Sequence, residues 1–145
     1  MLNVKTIGLA ESRKLLEACA RRAEEIGVPM AFAVVDPSGR MVALHRMDGA
    51  NWHTTGLAEG KAAAAAAMRM PSADLGERWK DFPTLSTAAA VAHDGRFLPL
   101  RGGLPLVVEG AVVGAVGASG GTGVQDADAV GWGIEQVFGT GQPAA

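Results

Sequence analysis

Residues Arg101–Asp126 read RGGLPLVVEGAVVGAVGASGGTGVQD, and the fold follows from how this stretch divides. Leu104–Val108 is apolar and β-prone, and Val112–Ala118 matches it while carrying Gly114 and Gly117. Glu109-Gly110 between them is short enough for a tight hairpin, where glycine supplies the positive φ the turn needs. Glycine inside a strand packs nothing and loses more freedom on ordering than other residues. Gly114 and Gly117, beside Ala115 and Ala118, therefore predict a flat strand face that a helix or a ligand approaches closely. Ser119-Gly120-Gly121-Thr122-Gly123 leaves the strand, and a helix is expected over Val124–Phe138. Backbone N–H groups in such a turn can hold an anion. No Gly-Lys-Ser/Thr follows, so this is not a P-loop, and the spacing is wrong for a dinucleotide fingerprint. Arg101-Gly102-Gly103-Leu104-Pro105 is a second glycine turn, with Pro105 at a strand start or edge. Asp126 and Asp128 fall in the first helical turn, where they complement the helix dipole.

Upstream, Thr6 reads as an N-cap and Ile7–Ile26 has helical spacing, with Leu9, Leu16, Cys19, Ala20 and Ala23 on one face. Gly27 and Pro29 end this helix. Met30–Val35 and Arg40–Met47 are strands joined by Asp36-Pro37-Ser38-Gly39, which has type I turn chemistry. His45 and Arg46 alternate there, so they point to opposite faces, and His45 reads as a solvent or interface residue. The next helix body is His53–Arg69, capped by Asn51 or Thr54. Gly56, Gly60, Ala64 and Ala67 form a small-residue strip on it, expected to meet the sheet or another subunit. Lys61 is the lone charge between Glu59 and Arg69, and reads as a stem that snorkels to water or as a cation fixed in a pocket. Ser72 is expected to cap a short helix to Asp81, followed by Leu85–Ala92, a turn at His93–Arg96 and an edge segment at Phe97–Leu100. Gly139–Ala145 reads as a frayed tail. Tight turns between adjacent strands make the sheet mainly antiparallel, and helices cover it: an α+β fold in a single domain spanning residues 1–145.

The 145 residues are 48% hydrophobic, enough for a sizeable core, and carry a net charge of −2. That charge argues against a nucleic-acid partner. No apolar run is long enough for a membrane span, and no signal-peptide pattern opens the chain. The single cysteine, Cys19, excludes an intrachain disulfide and fits a reducing cytoplasm. His45, His53 and His93 are far apart in sequence, so no metal site is expected. There is no nucleophile elbow and no covalent haem attachment motif.

Several pieces, taken in order, resemble one family. They are Gly27-Val28-Pro29 into Ala33-Val34-Val35-Asp36; Gly39 to Arg46-Met47-Asp48-Gly49-Ala50; Lys61-Ala62 and the alanines up to Pro71; Gly102-Gly103-Leu104-Pro105; and Gly114 through Ser119-Gly120-Gly121 to Gln125-Asp126. Together they resemble the GlcG/HbpS family, also called the haem-degrading or DUF336 domain, with departures at Arg101 and Asp128. The resemblance implies a profilin-like or roadblock-like fold, homo-oligomers, and haem or a related tetrapyrrole as ligand. Some relatives form a C-terminal module beside a corrinoid adenosyltransferase.

Three functions follow as expectations. The first is a cytoplasmic haem- or tetrapyrrole-binding accessory protein. Its axial ligand would be His53 beside Trp52, with His93 second, and its contacts would come from Gly102, Gly103, Leu104, Ser119, Gly120 and Gly121. The second is a small-molecule enzyme or binder acting on an organic acid. Arg46, Lys61, Arg101 and the glycine-turn amides would clamp the carboxylate, with His53 or Asp126 as general acid or base. The third is a non-catalytic oligomeric scaffold held by the small-residue strips.

Overall fold

Ala31–Val35 is buried at every position, so this strand belongs inside the sheet. The computed structural model describes residues 1–142. Along the chain run α1 (Leu9–Ile26), β1 (Ala31–Val35), β2 (Met41–Arg46), α2 (Thr54–Met68), α3 (Ser72–Arg78), α4 (Pro83–Ala92), β3 (Gly103–Val108), β4 (Ala111–Ser119) and α5 (Gly123–Phe138). The strands form one antiparallel sheet in the order β2-β1-β4-β3, so the two hairpins join through β1 and β4. α1 and α5 cover one face and α2 the other, which makes the fold α+β, as the sequence predicts.

Side-chain alternation divides the two faces. Phe32, Val34, Leu106 and Val116 meet Leu15, Leu16, Cys19, Val130 and Ile134 from α1 and α5. The other face carries small residues: Ala31 and Ala33 meet Ala58, while Val35 and Ala115 meet Ala62, Ala65 and Ala66. Register aligns Ala33 with Gly117 and Gly117 with Gly103, a row across three strands that offers at most one methyl group. The backbone of α2 lies directly on this row. A Cβ at Gly117 would stand 2.8 Å from the Ala62 nitrogen, and one at Gly103 would run into the Lys61 carbonyl. A helix, rather than a ligand, is what comes close to Gly103 and Gly117, whereas Gly114 meets the Val35 carbonyl and the Ile7 side chain.

The β3–β4 turn places Glu109 at φ 50° and Gly110 at φ 78°, the positive pair of a type I′ hairpin. In the β1–β2 turn the Asp36 carboxylate accepts from the Ser38 and Arg40 amides and the Ser38 hydroxyl, and Gly39 donates its N–H to the Asp36 carbonyl.

Four local expectations are corrected. Thr6 does not cap α1: the cap position is Gly8, because Ile7 is drawn into the core and its N–H bonds the Val113 carbonyl. Leu9 is exposed and lies off the buried face of α1. Ser72 is not a cap either, since Pro71 holds that position and the Ser72 hydroxyl is spent elsewhere. Phe97–Leu100 is no strand; the Leu98 N–H bonds the Gly60 carbonyl and its side chain covers Gly60. In the strip on α2, therefore, Gly60 faces Leu98 while Gly56 and Ala67 are exposed. The tail is described as far as Gln142, whose side-chain amide brackets the Val107 N–H and carbonyl on the edge of β3. The last residues of that expected tail, 143–145, lie outside the described residues.

Gly117→Ala is expected to destabilise by about 1–3 kcal/mol or more, because backbone, not a flexible side chain, occupies the space. Gly56→Ala, with open space around it on α2, is expected to stabilise by roughly 0.5–1 kcal/mol. Urea denaturation of both variants checks this pair, and equal effects would refute close backbone approach as the reason for Gly117.

Candidate functional site

The two glycine turns do come together, and Lys61 is what joins them. From α2 the Lys61 stem crosses Gly102, where an added Cβ would stand 3.1 Å from its Cδ. The ammonium donates to Asp126 Oδ2 at 2.9 Å and to the Ala118 carbonyl at 2.9 Å. Both side chains are nearly sealed, at 7% and 3% exposure. Asp126 Oδ1 accepts the Gly121 N–H at 2.9 Å, so one carboxylate ties the Ser119–Gly123 turn to α2. Burial pushes the Asp126 carboxyl above its ordinary value, while Lys61 and the Gly121 amide pull it back without cancelling that rise. The snorkelling reading of Lys61 is thus corrected: its head is buried and paired. Asp126 is likewise more than a dipole complement.

Two further amides of the turns, those of Gly103 and Thr122, are also spent. Gly103 N–H donates to the Ser72 hydroxyl at 2.8 Å, and that hydroxyl donates in turn to the Leu100 carbonyl. Gly102 accepts from the Ala118 N–H. At the start of α5, Thr122 and Gln125 form a reciprocal capping box. An external anion would find the protein's own carboxylate in its place. Gly120 faces the other way, toward Pro29 and Met30.

The other candidate residues are dispersed. Leu104 and Ser119 are buried in strands β3 and β4. Arg46 is exposed at the end of β2, and Arg101 is exposed with its stem against Gly123. His53 is exposed at the cap position of α2, its ring edge-on to the exposed Trp52 at 6.1 Å. The carboxylate clamp of Arg46, Lys61 and Arg101 is therefore not assembled. Among the described residues no three His, Cys, Asp or Glu side chains gather as a metal site. No helix is long and apolar enough to cross a membrane. Cys19 is buried, which pushes its thiol up to about 12 and removes it from nucleophilic chemistry.

Two features were not legible as sites. Ser72, read as a cap, is the buried hydroxyl that fixes the first glycine turn. A cavity of about 220 Å³ lies where the β1–β2 turn, α2 and the end of α4 meet; Arg40, His93, Arg96 and Phe97 contribute to its lining. His93 stacks on Phe97 at 5.4 Å, and Phe97 stacks on Trp79 at 5.8 Å.

A four-stranded antiparallel sheet sandwiched between helices, locked at one end by a buried lysine–aspartate pair, defines the class of domain. A family model described as haem-degrading protein HbpS-like matches residues 7–135, and the chain belongs to that family. It is 34% identical over 123 residues to an uncharacterized 15.0 kDa protein of Citrobacter freundii, covering 85% of this chain and 86% of that one. The crystal structure of Klebsiella pneumoniae ORFY superposes with a TM-score of 0.85 at 29% identity, over 93% of this chain and 92% of that chain. The structure of a PduOC–haem complex superposes at 0.82 with 26% identity, over 95% and 99%.

Lys61→Met is expected to cost about 3–5 kcal/mol, because it leaves Asp126 buried and unpaired. Adding Asp126→Asn keeps an acceptor for Gly121 and should recover most of that loss. With its carboxyl raised, Asp126 adds stability below its unfolded pKa that is lost as pH rises through the folded one. Asp126→Asn should abolish that decline. Denaturation curves at several pH values check all three outcomes.

Proposed function

We propose that this protein is a cytoplasmic haem- or tetrapyrrole-binding accessory protein that works as a homo-oligomer. The observation that carries the reading is family membership together with likeness to a PduOC chain solved with haem. The residues of this chain fit that ligand in donor type. His53 presents an accessible imidazole, and histidine is a common axial ligand of haem iron. Trp52 beside it offers an exposed indole against which a flat macrocycle can lie. His93 is the second candidate, also exposed, with an aromatic neighbour. When bound, haem supplies an iron centre whose potential the axial ligand and its surroundings tune. The chain's own part is to hold the macrocycle by ring contact and to present the imidazole nitrogen. The Gly103 and Gly121 amides take no part in this binding, since they already bond Ser72 and Asp126.

Self-association has its own support. α4 has no buried residue, and its half-buried Ala89 packs against the small cluster of Ala64, Leu75 and Phe97. Phe82, Leu85 and Val91 stand 60%, 45% and 74% exposed along it. Large apolar side chains exposed on one short helix suit a contact surface.

Haemin titration should give a saturable Soret shift that His53→Ala weakens strongly. A shift altered only by His93→Ala would move the ligand to His93, and no saturable change in the unmodified protein would overturn the haem reading. Separately, Leu85→Asp with Val91→Asp should reduce the mass in solution, by light scattering, to that of one chain. An unchanged mass would exclude α4 as the contact.

A further inference from the structure

We propose that the cavity between the β1–β2 turn, α2 and the end of α4 binds a small monocarboxylate with a short apolar body. This is independent of the haem reading. Its volume of about 220 Å³ falls below the roughly 300–1,000 Å³ of pockets that enclose larger ligands. It has room for about seven waters, the size of a short organic acid.

The lining divides by chemistry. Ala63 and Ala67 from α2 form a floor with Phe97 as a wall. Arg40 enters from the β1–β2 turn and Arg96 from the connection after α4, with His93 beside it. Two arginines from separate segments therefore line one recess that also has an apolar part.

Their hydrogen-bonding capacity is unspent. Arg40 has no ion-pair partner among the described residues. Arg96 has only distant ones: Glu59 at 4.0 Å from Nε and Asp94 at 3.6 Å from Nη2. Charge-assisted bonds run about 2.7–2.9 Å, so neither contact is one. The same protein satisfies Arg22 fully, with Asp128 Oδ2 at 2.8 Å from Nε. Asp94 also lines the cavity, but its side chain is 86% exposed and well solvated. Asp36 is committed to the amides and hydroxyl of its own turn. A carboxylate entering between Arg40 and Arg96 would meet two unused forks, and its alkyl chain would cover Ala63, Ala67 and Phe97.

Butyrate is the probe, titrated into the full chain and followed by amide NMR. Saturable shifts should centre on Ser38, Gly39 and Ala92–Phe97, with n-butylamine producing none of them. Arg40→Gln and Arg96→Gln should each weaken butyrate about tenfold, the equivalent of ~1.4 kcal/mol. Arg40→Lys should retain part of the affinity, and Arg13→Gln all of it. The dispersion of distant amides reports that each variant stays folded. Inorganic phosphate separates the sources of affinity: equal binding of phosphate and butyrate would mean that the recess reads charge alone, and would overturn the proposal. So would butyrate affinity unchanged in both glutamine variants, or the absence of saturable shifts.

Discussion

One buried ammonium holds the two glycine turns and α2 together at one end of this fold. Lys61 leaves the middle of an otherwise alanine-rich helix and reaches a strand carbonyl and a carboxylate on α5. It is a costly device. Removing two charges from water is repaid only by good geometry and by bonds to the remaining lone pairs. Here the second carboxylate oxygen takes the Gly121 amide, and no buried side-chain polar atom among the described residues is left without a partner. The raised Asp126 carboxyl shows that desolvation is still felt. The pair's value therefore lies in which groups it brings together rather than in net stability. It sets the register between α2, β4 and the turn into α5.

That geometry demands small residues on both sides of the interface. The pair can close only if α2 lies low on the sheet, and α2 lies low only because Ala33, Gly117 and Gly103 form a bare row beneath it. A side chain at Gly102 would meet the Lys61 stem itself. Glycine in a strand loses packing and gains freedom to lose, so each of these positions carries a cost. Close helix contact and the sealed ion pair offset it. The opposite face uses larger residues, Phe32, Leu106 and Ile134, and holds most of the large buried side chains.

The fold was largely legible because each of the two hairpins closes on a turn with a distinct chemical signature. Asp36–Gly39 and Glu109-Gly110 announce hairpins, and Gly27 with Pro29 announces a helix end. The site was less legible, for identifiable reasons. α2 is alanine at every position from Ala62 to Ala67, so hydrophobic periodicity cannot say which face meets the sheet. Its strip of Gly60 and Ala64 faces Leu98, Leu75 and Phe97, whereas Ala58, Ala62 and Ala65 face the strands. A lone lysine in such a helix snorkels or pairs according to a partner 65 residues away, which no local pattern contains. Ser72 after Pro71 has the chemistry of a cap, and only the fold reveals that Gly103 claims its hydroxyl.

The same internal accounting decides where a ligand can act. Donors in the glycine turns look inviting in sequence, but hydrogen bonding is exclusive: an amide bonded to Asp126 or Ser72 has little left for a guest. The binding proposed above falls instead to groups that have no bonded partner among the described residues. These are the His53 imidazole beside an exposed indole, and Arg40 and Arg96, which line a recess with Ala63, Ala67 and Phe97. Both lie outside the core that Lys61 locks. The locked end supplies rigidity, and the accessible rings and guanidiniums supply chemistry, so substitutions in the second set can alter binding without disturbing the first.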